Sequence, residues 1–205
     1  MLPPDEELDR HLFGRIVDLA VHDPRPLTQA LGLGRADLTR LLGVHLPERG
    51  ALLEGLDEDT GEDALEEADL RALLLEHRAG DGPEPVWLAT IVARRSLETN
   101  HLWQDMGFAD RGELGAMFGR HFPSLVALNS GDMKWKKFFY RQLCAREGFL
   151  LCKSPHCERC DDYDACFDGE KGAPLRAAAP QSGLRSPQGP SPVEGQGFGS
   201  EAESL

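Results

Sequence analysis

Apolar residues recur along this chain at helical intervals. Leu38, Leu41 and Leu42 fall at i, i+3, i+4, and Leu114, Met117 and Phe118 repeat that spacing. Leu65, Leu70, Leu73, Leu74 and His77 outline a further amphipathic helix, expected to start near Asp63 and to stop at the turn Gly80–Pro83. A long helix from about Val86 to His101 follows. Asp110 is a predicted N-cap, with Glu113 placed three residues on as a capping box requires. Gly32 and Gly107 read as helix ends, and Pro47 and Pro123 as restarts. Pro123 and Asp132 read as the starts of the last helices. In the final one, Trp135, Phe139 and Leu143 form an apolar stripe with Phe138 beside it. No run alternates apolar and polar residues, so the fold class expected is all-α, a helical bundle. Ile91, Leu102, Leu114, Phe118, Phe122, Trp135, Phe139 and Leu143 are its expected buried residues.

Laid on itself at an offset of about 75, the sequence echoes: the stretch 16–52 matches the stretch 91–128. Ile16 and Val17 fall on Ile91 and Val92, and Leu27, Gln29 and Gly32 on Leu102, Gln104 and Gly107. After one inserted residue, Arg35, Leu38, Gly43, His45 and Pro47 fall on Arg111, Leu114, Gly119, His121 and Pro123. A duplicated helical unit whose copies pack on each other explains this, since neither copy would bury its apolar side alone. Chance likeness between two amphipathic helices is the alternative. The organisation expected is a helical domain over 1–150, a cysteine-rich segment over 151–168 and a disordered tail over 173–205, where Ala, Pro, Gly, Ser and Gln leave almost nothing to bury.

Composition narrows the function classes. The formal net charge is −13 over 205 residues. Residues 48–84 hold thirteen acids against three bases, which reads as a solvated linker and helix face in preference to a docking site. An anionic body repels phosphate backbones, so nucleic acid is not an expected partner. No run is long and apolar enough for a transmembrane helix, and MLPPDEELDR is the opposite of a secretory leader; the location expected is cytoplasmic. In that compartment thiols stay reduced, and an odd total of five cysteines agrees.

Four of those five stand within one short run: Cys152, Cys157, Cys160 and Cys166, spaced C-x4-C-x2-C-x5-C. Closely spaced thiolates in a reducing compartment suit a soft metal or an iron–sulfur cluster. Structural zinc sites pair two short knuckles across a folded stretch, whereas one uneven segment suits thiolates that wrap a cuboid. Spacing therefore favours iron–sulfur over zinc and leaves both open. The preceding helix carries Lys134, Lys136, Lys137, Arg141 and Arg146 against Glu147, a basic stretch in an acidic chain. Such a stripe is either a solvated face or a cationic approach to a negative cluster or oxyanion. Cys144 reads as a small buried hydrophobe or, alternatively, as a fifth ligand or a transfer thiol. His45 and His121, each two residues before a proline, are candidate ligands or structural groups favouring a helix C-terminus. No nucleotide-binding, Walker or nucleophile-elbow pattern is present, and no catalytic residue is expected.

The stretches LWQDMGF, HFPSLVALN and DMKWKKFFYRQLC, followed by the four-cysteine run and Phe167, resemble the NifQ family of nitrogen-fixation proteins from about Leu102 to Phe167. The resemblance implies a non-enzymatic carrier of a molybdenum–iron–sulfur centre, held by Cys152, Cys157, Cys160 and Cys166, that donates molybdenum to iron–molybdenum cofactor assembly. It implies as partners the nitrogenase iron protein and the cofactor-assembly scaffold, with molybdate as metal source. A zinc-stabilised helical interaction module is the alternative function.

Overall fold

The computed structural model describes residues 5–56, 58–61 and 64–146. Among them the fold is all-helical: α1 (Asp5–Ala20), α2 (Leu27–Leu31), α3 (Arg35–His45), a 3₁₀ helix (Pro47–Leu53), α4 (Leu65–Glu76), α5 (Pro83–Ser96), α6 (Leu102–Asp105), α7 (Arg111–His121), α8 (Pro123–Leu128) and α9 (Trp135–Arg146). Residues 151–168 and 173–205, where the metal segment and tail are expected, lie outside the described residues.

Helix α5 is the centre of the bundle. Trp87, Leu88, Ala89, Ile91, Val92 and Ala93 are all buried, and so are the charged Arg94 and Arg95 that follow them. A helix covered on every side must partner its polar groups inside. Arg94 accordingly donates to Glu67 on α4 at 2.9 Å and to the carbonyls of Gln29 and Thr60 at 2.9 and 3.1 Å. Arg95 pairs with Asp23 at 3.2 Å, and Asp23 also holds Arg25. The hydrogen bond from Arg25 is the largest cause of an Asp23 pKa well below the usual carboxylate range.

The two echoing stretches carry the same succession of elements. Helix α2 ends at Gly32 (φ 67°), and α6 is followed, after its cap Met106, by Gly107 (φ 76°), both glycines in the left-handed region. Helices α3 and α7 are both eleven residues long and both end in histidine. The residues after them share one backbone geometry, Leu46 at φ −139°, ψ 54° and Phe122 at φ −141°, ψ 52°. A proline then opens the 3₁₀ helix in one stretch and α8 in the other. Each glycine turn packs on the long helix of the opposite stretch. A Cβ on Gly32 would meet Thr90 and Arg94 of α5 at 3.4 Å, and one on Gly107 would meet the Arg15 carbonyl of α1 at 2.5 Å and Leu19 at 3.0 Å. Thr90 and Arg94 are the positions equivalent to Arg15 and Leu19, so the contact is reciprocal.

Differences from the sequence reading have local causes. Helix α5 spans Pro83–Ser96 rather than Val86 to His101. Pro83 starts it early because a proline at the first turn has no N–H to satisfy. His101 instead caps α6, its N–H donating to the Gln104 side chain at 3.2 Å. Asp110 caps α7 as expected, accepting from Gly112 and Glu113 N–H at 2.7 and 3.1 Å. Glu113, however, reaches past the cap to Ala109 N–H at 2.8 Å. Asp132 does not start α9: it sits at φ 49°, in a loop closed by Asn129 side-chain bonds to Met133. Of the expected core, Leu143 alone is half-buried; the other seven residues are buried.

The reciprocal glycine contacts predict unequal costs for the same substitution. Gly107→Ala adds backbone strain and a collision with Arg15 O, and is expected to destabilise the fold by roughly 2–4 kcal/mol. Gly32→Ala meets only side-chain atoms and is expected to cost about 1–2 kcal/mol. Urea unfolding of the two variants checks the order.

Candidate functional site

Helix α9 is the last described element before the cysteine run in the sequence. Trp135 stacks on Phe118 with ring centroids 3.9 Å apart, and Phe138 and Phe139 close the cluster. The five bases of this stretch do not form one solvated stripe. Lys136 points inward, donating to Asp105 Oδ2 and to the Glu98 carbonyl, both at 2.6 Å. Burial pushes its pKa down, and the Asp105 charge opposes that shift. Arg146 is tied to Glu76 at the end of α4, at 3.1 and 2.5 Å. Arg141 is exposed, whereas Lys134, Lys137 and Cys144 are half-buried, and the Cys144 thiol is unbridged. The cationic character read from the sequence is thus partly spent on holding α9 to the bundle. Cys152, Cys157, Cys160 and Cys166 lie outside the described residues.

A second chemical feature lies where α1, α3, α5 and α7 meet. An open cavity of about 800 Å³ is lined by both candidate histidines and by charged residues of α1 and α5. His121, at the C-terminus of α7, pairs its Nε2 with Asp9 Oδ1 of α1 at 2.8 Å. Arg120 grips the same carboxylate through Nε and a terminal nitrogen, each at 2.9 Å. Burial of Asp9 acts to raise its pKa, but the hydrogen bonds from His121 and Arg120 outweigh it and hold the group below its ordinary value. His45, at the C-terminus of α3, stands 3.3 Å from Glu84 Oε1 of α5. Its ring lies against Phe13, centroids 4.8 Å apart. Each histidine therefore faces a carboxylate of the opposite stretch, and Asp9 and Glu84 are themselves equivalent at the offset of 75.

This cavity connects through the turn after α4 to the end of α9. The Ala79 N–H donates to the His121 carbonyl at 2.7 Å, and His77 Nδ1 meets Ser124 Oγ at 2.9 Å. The turn that carries those residues begins at Glu76, the partner of Arg146. Asp9, Glu84 and Arg120 were not singled out by the sequence reading. Extending the internal echo upstream to Asp9 would have found the two acids. Among the described residues, no three His, Cys, Asp or Glu side chains gather around one point as a metal ion needs.

Removing one partner of a buried pair leaves the other uncompensated. Asp9→Asn is therefore expected to cost about 3 kcal/mol at neutral pH. The pH dependence has a definite sign. Folded Asp9 binds a proton less readily than unfolded Asp9, so its contribution is complete above the ordinary carboxylate pKa and is lost as pH falls through and below it. The stability lost by the parent chain on acidification below about pH 4 should accordingly be smaller in Asp9→Asn. Unfolding curves across that range measure it.

Comparison with known proteins follows the same boundaries. A family model described as NifQ matches residues 12–168, from within α1 through α9 and on to just past Cys166. A protein named Protein NifQ homolog from Sinorhizobium fredii (strain NBRC 101917 / NGR234) is 39% identical over 184 residues, covering 84% of this chain and 80% of that protein. Protein NifQ of Rhodobacter capsulatus is 44% identical over 142 residues, 69% of this chain and 78% of its own length. Protein NifQ of Azotobacter vinelandii is 40% identical over 152 residues, 68% of this chain and 78% of its own. No solved structure matches the chain.

Proposed function

Because this chain belongs to the NifQ family, an accessory family of nitrogenase iron–molybdenum cofactor biosynthesis, we propose that it is a molybdenum carrier for that assembly. In this reading Cys152, Cys157, Cys160 and Cys166 hold a molybdenum–iron–sulfur centre as cargo. The observation that carries it is the extent of the family match, which runs through all four cysteines. The donor set fits: four thiols in one uneven segment are soft ligands suited to a sulfide-bridged cluster, and deprotonated thiolates are neutralised by its metals.

The chain's own residues have distinct tasks in this reading. Lys136 and the aromatic cluster around Trp135 fix α9, so the cargo segment leaves a rigid base. Arg141 stays exposed on that helix, where a cation attracts molybdate or a negative cluster. The partners in this reading are the nitrogenase iron protein and the cofactor-assembly scaffold, which take the cargo by exchange rather than by turnover. Among the described residues no helix is long and apolar enough to cross a membrane.

Replacing all four cysteines with serine tests this directly. The parent chain, isolated without oxygen, is expected to contain iron, acid-labile sulfide and molybdenum and to be brown. The quadruple variant should lose at least nine-tenths of the iron and molybdenum while keeping its helical circular dichroism. A colourless parent holding one zinc would favour the adaptor reading instead.

A further inference from the structure

Helix α8 turns Leu125 into the core but leaves Leu128 53% exposed, with Ala127 exposed beside it. The internal echo makes that exposure informative. Ala127 and Leu128 fall on Ala51 and Leu52 of the first stretch. The surroundings of the two positions are built alike. Arg35 donates to the Leu56 carbonyl at 2.8 Å, and its equivalent Arg111 donates to the carbonyl of Asp132, the equivalent of Leu56, at 3.0 Å. Leu52 is nevertheless half-buried against the core, whereas Leu128 stands mostly in the open. Among the described residues, the second stretch therefore lacks the cover that the first one has.

Leu128 lies on the side of α8 where the described chain ends. Ser124, four residues earlier and so on the same helix face, meets His77 Nδ1 at 2.9 Å. His77 follows Glu76, which holds Arg146, the last described residue, at 3.1 and 2.5 Å. Leu75, beside Glu76, and Leu143, one turn before Arg146, are only half-buried at this corner. We propose that Phe149, Leu150 and Leu151 dock on this corner and cover Leu128, so that Cys152 starts from a seat on α8. The sequence supplies the occupant, since Phe149–Leu151 is the one run of three large apolar residues within 147–205. Reach agrees. These residues stand three to five positions beyond Arg146, a span of about 10–18 Å when extended, and Leu128 is about 6 Å along α8 from Ser124. Contact between the two removes apolar surface of both from water. The docking involves no thiol and stands whatever the cysteines hold.

The test uses the full-length chain with Cys144, Cys152, Cys157, Cys160 and Cys166 replaced by serine. Leu128→Cys is added together with Phe149→Cys, Leu150→Cys or Leu151→Cys in turn, and each chain is equilibrated in a glutathione redox buffer. At least one pair is expected to close an intramolecular disulfide with an effective concentration tenfold or more above the matching pair made with Val126→Cys. Val126 lies on the other side of the same short helix at nearly the same loop length, so the comparison reads docking rather than chain length. Unfolding in guanidinium should erase the difference. In the chain with its own cysteines, Leu128→Asp should speed chymotrypsin cleavage after residues 149–151 at least fivefold while leaving the thermal midpoint of the bundle unchanged. Equal effective concentrations for the Leu128 and Val126 pairs, or disulfides that join two chains rather than close within one, overturn the proposal.

Discussion

The described bundle depends on a reciprocal interlock between two similar stretches of chain. Each places a glycine turn against the long helix of the other, and each offers a histidine to a carboxylate on that helix. A left-handed turn followed by a proline restart makes the chain double back compactly, which leaves α2 and α3, or α6 and α7, with an apolar side still open. Only the opposite long helix can cover it. Helices α1 and α5 are consequently shared property, and Ile16, Val17, Ile91 and Val92 are buried between the stretches. The polar pairs then set the register of an interface that hydrophobic burial alone would leave free to slide.

In the carrier reading proposed above, the cysteine run follows α9 in the sequence, so the seating of α9 matters to it. Helix α9 is seated by Trp135 on Phe118, a residue of α7, and by Lys136 on Asp105, a residue of α6. Its last turn is tied through Arg146 to α4. The chain as a whole carries a formal net charge of −13, which disfavours approach to phosphate backbones.

Much of this was legible in the sequence because it rests on local rules. Helical spacing, the Asp110 cap, the glycine ends and the proline restarts depend on a few neighbouring residues, and all of them are found where their chemistry puts them. What depended on distant partners was less legible. Lys136 reads as one more solvated base until α6 brings Asp105 to it. Asp9 and Glu84 read as ordinary N-terminal helix acids until the fold carries a histidine to each. Helix boundaries moved by three to five residues where a competing cap took over, as at His101. The cysteine run was legible by type and spacing alone, and the family match extends across it.

Molybdenum K-edge X-ray absorption of the full chain, isolated without oxygen from cells supplied with molybdate, bears most directly on what the protein carries. The account predicts a first shell dominated by sulfur, with iron in the second shell at a distance typical of sulfide-bridged metals. A first shell of oxygen alone, or a protein containing no molybdenum, would contradict it.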